Sequence, residues 1–183
     1  MKRRPSARTR QLAQAGFSLV EVMIATCVLT IGLLALSSTS VVIHSLDRAD
    51  EARRLATMAT QDVVERIKAN SARAMEATGG WTANILPVMQ PGGIVGDTFN
   101  VQGLDPWNGN PSVGTVQIIL DETTTDADLG ITLGLPRDLN GDGDAADTDV
   151  SADCTLLPVI VRTRWSSAGG QRQATQAFYL TNM

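Results

Sequence analysis

The stretch Gly16-Phe17-Ser18-Leu19-Val20-Glu21-Val22-Met23-Ile24-Ala25, continued by an apolar run to Leu36, decides the fold. Its single carboxylate, Glu21, stands near the start, directly behind a short basic leader. A carboxylate at a helix centre in lipid costs about 2.5–3.5 kcal/mol, and less near the interface. A charge kept at such a position asks for a partner.

Toward the N-terminus, residues 1–16 hold Lys2, Arg3, Arg4, Arg8 and Arg10, no acid, and no apolar periodicity. They read as a targeting leader and not as structure. Basic residues stay on the cytoplasmic side, so everything beyond the apolar run is expected across the membrane. In the other direction, Phe17 to Ile43 carries one charge. As a helix this segment is about 40 Å long at ~1.5 Å per residue, enough to span about 30 Å of hydrocarbon. A cleavable secretory signal is the competing reading, with Ala35-Leu36-Ser37 as its small-residue site. Against it stand Glu21 inside the apolar region and a helical pattern that does not stop at Ser37.

Beyond Ser40 the composition turns polar, but apolar residues recur three or four apart at Leu46, Ala49, Ala52, Ala56, Ala59, Val63 and Ile67. Asp47, Arg48, Asp50, Glu51, Arg53 and Arg54 fall mostly off that stripe, as on an amphipathic helix lying against a globular body. No Pro interrupts Phe17 to Leu86, and Gly32 is the only Gly before Gly79-Gly80. The pattern predicts one helix of about 60 residues, ending at the Gly pair. Apolar all round in its first half and one-sided in its second, it belongs in two environments.

Residues 79–114 are dense in Gly, Pro and Asn and read as a long connection with one short strand, Trp81 and Trp107 filling gaps where it crosses the body. Thr115 to Leu120 is rich in β-formers and reads as a strand. Thr155 to Trp165 reads as another, with Val159, Val161, Thr163 and Trp165 on one face and Arg162 and Arg164 on the other. A turn at Ser166 to Gly170 and a strand from Ala174 to Leu180 complete an antiparallel hairpin. The fold class is therefore α+β: a long N-terminal helix packed on a C-terminal antiparallel sheet.

Between the strands lies Asp138-Leu139-Asn140-Gly141-Asp142-Gly143-Asp144-Ala145-Ala146-Asp147-Thr148-Asp149. Counted from Asp138, side-chain oxygens occupy positions one, three and five, Gly occupies six and a carboxylate occupies twelve. This matches a calcium loop closed by Asp instead of Glu. The expected Ca²⁺ ligands are Asp138, Asn140, Asp142, Asp149 and the backbone carbonyl of Asp144, with Gly143 permitting the sharp turn. No amphipathic helices flank the loop, and Asn-Gly and Asp-Gly also favour a solvated acidic turn. Both readings stand.

Charge and composition narrow the function. Outside the leader the chain holds 10 basic and 19 acidic residues, a balance of −9. Such a body is a poor partner for nucleic acid. Aromatics make up only 4% of the chain, too few to interleave with a basic patch. His44 is the only histidine, on the helix just past the apolar run, so no nucleophile has a convincing base. No Gly-rich phosphate loop or Cys/His metal set is present. Nothing points to an enzyme. Cys27, in the apolar run, reads as a small packing residue, and Cys154 lies far from it in the polar half, so no intramolecular disulfide is expected.

At Gly16-Phe17-Ser18-Leu19-Val20-Glu21 the chain resembles a type IV pilin precursor: basic leader, Gly before the scissile bond, Phe after it, Glu four residues on. The resemblance covers residues 1 to about 76. It implies cleavage between Gly16 and Phe17 by the prepilin peptidase on the cytoplasmic side, usually with N-methylation of Phe17. In that family the Glu matching Glu21 pairs with the terminal amine of a neighbouring subunit, which offsets the burial of a charge in an apolar filament core.

The stretches Val28 to Leu36 and Gln61 to Asn70 look most like minor pilins of the PilV type. A helix-breaking Pro in the first half of the helix and a C-terminal disulfide loop, both common in major pilins, are absent from the sequence. The implied organisation is a leader at 1–16, a transmembrane or filament-core helix at 17–43, its amphipathic continuation at 44–78, and a periplasmic or extracellular sheet domain at 79–183. The implied partners are other pilin subunits, the peptidase and the inner-membrane assembly machinery. A minor pseudopilin of a type II secretion system shares the leader and the Glu. An exported calcium-binding module with an ordinary signal peptide is the third reading.

Overall fold

In the computed structural model, residues 18–167 and 169–182 are described. Helix α1 runs Leu19–Glu76, 58 residues without a break. Ser18 caps its start, its Oγ accepting from the Val20 N–H at 3.2 Å. Past its end the chain turns at Gly79 and Gly80, with φ of +105° and +88°, a conformation that side chains with a Cβ disfavour. The chain divides into two compact units, residues 1–44 and 45–183.

In the first unit every described residue is exposed, including Leu19, Val20, Val22, Met23, Ile24, Leu29 and Leu34. Among the described helices, α1 is the one long and apolar enough to cross a membrane. Cys27 is exposed here. Thr26, Thr30, Ser37 and Thr39 turn their hydroxyls onto carbonyls four residues back, so they add no unsatisfied polar group to this apolar surface.

The second unit is a sheet covered by the rest of α1. After α1 come a short helix α2 (Trp81–Ile85), a 3₁₀ turn (Leu86–Met89), and two-residue strands β1 (Thr98–Phe99) and β2 (Asp105–Pro106). Strand β3 (Gly114–Ile118), helix α3 (Asp126–Leu129), and the long strands β4 (Leu156–Ser167) and β5 (Gly170–Thr181) follow. All pairings are antiparallel. One edge of β4 pairs with β3 and, farther along, with β2, while its other edge pairs with β5 over its whole length. The connection at 79–114 thus holds more regular structure than the single strand its composition suggests. The hairpin strands run closer to the turn than expected, to Ser167 and from Gly170.

The alternation read in β4 holds: Val159, Val161, Thr163 and Trp165 are buried, Arg162 is half-buried and Arg164 exposed. Against that face α1 buries Ala56, Thr60, Val63, Val64, Ile67, Asn70, Ser71 and Ala74. The hydroxyls of Thr60 and Thr163 meet at 2.7 Å across the helix–sheet contact. Leu46, expected at the head of the apolar stripe, is instead 59% exposed, because the buried face of α1 begins only near Ala56. Trp81 is buried and donates to Ser71 Oγ at 3.0 Å, which seats the connection against the end of α1. Trp107 is half-buried, with Arg164 over its ring.

Candidate functional site

Glu21 lies in the first turn of α1, where the exposed backbone N–H groups favour a negative charge. Its neighbours on the helix are exposed and apolar, and among the described residues no cation lies within ion-pair distance of it. The expected processing residues Gly16 and Phe17 fall outside the described residues, as does the leader. Among its described residues, the first unit presents a carboxylate with no ion pair at one end of an exposed apolar helix. By length and composition that surface would suit lipid.

The acidic loop belongs to the second unit. It winds by a succession of side-chain to backbone bonds: Asp138 accepts from Gly141 and Gly143, Asn140 from Asp142, Asp142 from Asp144, and Asp144 from Ala146, at 2.5–3.1 Å. Gly143 has a φ of +104°, as the sharp turn requires. Asp149 does not close this winding. Its Oδ1 accepts from the Ser151 N–H at 2.9 Å, and that bond holds its carboxyl below the ordinary carboxylate range. Asp147, though exposed, is the carboxylate that reaches back to the winding, its Oδ2 accepting from Asn140 Nδ2 at 3.1 Å.

Two carboxylates that carry no motif fix the surroundings of the loop. Glu122 is fully buried and accepts from the backbone N–H groups of Leu139 at 2.6 Å, Asn140 at 3.3 Å and Asp147 at 3.4 Å. Its own N–H donates to the Asp147 carbonyl at 2.9 Å, so one residue ties both limbs of the loop. Asp126 accepts from Leu133, Gly134 and Leu135 and closes the preceding segment. The Gly134 and Leu135 bonds are foremost in holding the Asp126 carboxyl below its usual range. Desolvation, then repulsion from Asp142, Asp144 and Glu122, pushes the Asp147 carboxyl up.

As a calcium cage the arrangement is incomplete. Among the described residues no three His, Cys, Asp or Glu side chains gather in a way that could hold a metal ion. Asp138, Asn140, Asp142 and Asp144 share one winding, but their oxygens face their own backbone amides, and Asp149 serves Ser151. The feature that speaks for a cation is the crowding of like charge around Asp147.

Comparison with protein-family models, with curated proteins and with solved structures gives no match to the chain.

Proposed function

We propose that the chain is a minor pilin of the PilV type. It would be cut between Gly16 and Phe17 by the prepilin peptidase, N-methylated at Phe17, and built into a priming or tip complex for type IV pilus assembly, with adhesion and motility as the outcome. It is a structural subunit and not a catalyst. In this reading the fold is that of a type IV pilin. The protein first sits in the inner membrane with its N-terminus in the cytoplasm and its sheet domain in the periplasm, and later leaves with the filament.

The observation that carries this reading is one unbroken helix with two characters. A single carboxylate and an all-exposed apolar surface occupy the half behind the basic leader, and the other half packs on an antiparallel sheet. A helix that is already part of the sheet domain is a poor candidate for removal by signal peptidase. The chemistry then centres on Glu21. Cutting after Gly16 creates an amine that does not exist in the precursor, and its cation could neutralise the Glu21 carboxylate of a neighbour inside an apolar core. A Glu21→Ala variant should stay inserted in the membrane and lose incorporation into pili, read by immunoblotting of sheared filaments. Normal incorporation would contradict the pairing.

The type II secretion pseudopilin is favoured by the acidic loop, since some pseudopilins bind calcium near the sheet. A Ca²⁺ ion would act as a clamp on residues 138–149 and would relieve the repulsion at Asp147. Millimolar calcium should then raise the melting temperature of the full chain in detergent by the linkage of ligand to native state. Unchanged melting would leave the loop as a solvated acidic turn held by Glu122.

A further inference from the structure

On the flank of α1 within the second unit lies a cavity of about 660 Å³, bounded by helix residues 46–61 and by the first half of β5. Leu46, Arg53, Gln61, Trp165, Arg172 and Gln176 are among the residues that line it. The register pairs Trp165 with Arg172, Thr163 with Ala174 and Val161 with Gln176, so Arg172, Ala174 and Gln176 share the sheet face that α1 covers farther along. The cavity is where that cover is missing. Arg53 and Arg172 have no ion pair among the described residues, whereas Arg66 and Lys68 on the same helix are paired with Asp62 and Glu65. Trp165, 3% exposed, carries the only buried side-chain N or O atom among the described residues that lacks a hydrogen-bond partner, its Nε1. Asp50 lines the groove as well, so its lining sets two arginines against one carboxylate, a net positive charge in a body with an excess of acid.

The opposite charge stands on the acidic loop, where Asp142, Asp144, Asp147 and Asp149 are all exposed and none has an ion pair among the described residues. This loop is tied to the far end of the sheet. Leu139 accepts from Thr155 and Leu156 at the start of β4, and Glu122 and Leu120 hold the returning limb. Trp165 lies nine residues further along β4, about 30 Å at ~3.3 Å per residue. The short free span of the loop, about 10 Å of reach on each limb, cannot cross that distance. The two charged features therefore cannot satisfy each other within one chain.

We infer that the groove between α1 and β5 receives the acidic loop of a second copy, Arg53 and Arg172 facing the exposed Asp side chains of residues 142–149. Because the groove and the loop sit at opposite ends of β4, the contact joins unlike surfaces head to tail. Such heterologous contacts propagate into rings or open filaments instead of closing as a pair. Charge complementarity of this kind sets register and partner choice more than raw affinity. The inference concerns the sheet domain alone and goes beyond the pilin reading: it holds or fails whether or not the bond after Gly16 is cut.

Zero-length carbodiimide cross-linking tests it, because this reagent joins a Lys amine to a carboxylate in direct contact. The full chain in detergent micelles, free of calcium, would carry Arg53→Lys or Arg172→Lys, with the native Lys68–Glu65 pair as internal control. Peptide mapping of a mixture of ¹⁵N-labelled and unlabelled chains should find the new amine joined to Asp142, Asp144, Asp147 or Asp149 in peptides of mixed label. A companion chain with Asp142, Asp144, Asp147 and Asp149 all changed to Asn should lose those links at least tenfold while keeping the Lys68–Glu65 link. Absence of links to the loop from both Lys variants while the control forms, or links confined to single-label peptides, would overturn the inference.

Discussion

From Leu19 to Leu46, α1 exposes apolar side chains on every face, whereas from Ala56 to Ala74 the same helix buries one face against a sheet and leaves the other polar. Backbone geometry is common to both halves, so what separates them is the source of stability. The second half is held by its own domain through Ala56, Val63, Val64 and Ile67, all 6% exposed or less. Among the described residues the first half buries none of its side chains, and its length and hydropathy would suit lipid.

Substitutions matched between the halves would break this contrast if it is wrong. Ile67 is fully buried, and Ile67→Ala should destabilise the sheet domain by about 4 kcal/mol through lost burial and a residual cavity. Leu29→Ala, chemically alike but on the exposed half, should leave domain stability within about 0.5 kcal/mol. Denaturant unfolding of the full chain in micelles, followed by fluorescence of the buried Trp81 and Trp165, measures both. Equal effects would mean the halves are not independent.

Within the folded half, Glu122→Ala should cost about 3 kcal/mol by leaving the buried Leu139 amide and the part-buried amides of Asn140 and Asp147 without their carboxylate acceptor. Hydrogen exchange should quicken at Leu139, Asn140 and Asp147 ahead of the β4–β5 hairpin. Thr163→Val, which keeps the shape and removes one hydroxyl, should cost about 1 kcal/mol. The effect is small because the Thr60 hydroxyl keeps its bond to the Ala56 carbonyl at 2.8 Å.

The smallest expected effects concern pH. The folded state depresses the Asp126 pKa, so its contribution is present above the unfolded value near 3.9 and is lost as pH falls through the folded value. Asp126→Asn should therefore shrink the loss of melting temperature on acidification. Asp147 has the opposite sign: its raised folded pKa means the ionised form opposes folding at neutral pH, a penalty relieved as pH falls through that value. Asp147→Asn should raise the melting temperature at pH 7 in calcium-free buffer, and a fall would show that the repulsion is not what governs the loop.

Much of this architecture is legible in residue spacing. Uninterrupted helical periodicity from the apolar run to Ile67 marks α1, and period-two alternation from Val159 to Trp165 marks the central strand with its faces correctly assigned. The acidic loop is legible as a winding, because Asp and Asn bond amides two to five residues on. Its closure is not. Whether Asp147 or Asp149 reaches back to the winding depends on Glu122, which meets the loop from 17 to 25 residues away and whose burial no local pattern announces. The exposure of Leu46 escapes for a related reason, since periodicity shows which face of a helix is apolar but not where the sheet beneath it stops. The groove beside β5 likewise exists only once strand and helix have been brought together.

The pilin reading turns on the N-terminus, and the intact mass of the chain recovered from its native membrane tests it most directly. The account predicts a mature protein that starts at Phe17, carries one added methyl group and retains the whole of α1. A mature chain beginning after the apolar run, near Ser37, or a full-length chain still carrying Met1 to Gly16 in cells with an active prepilin peptidase, would contradict it.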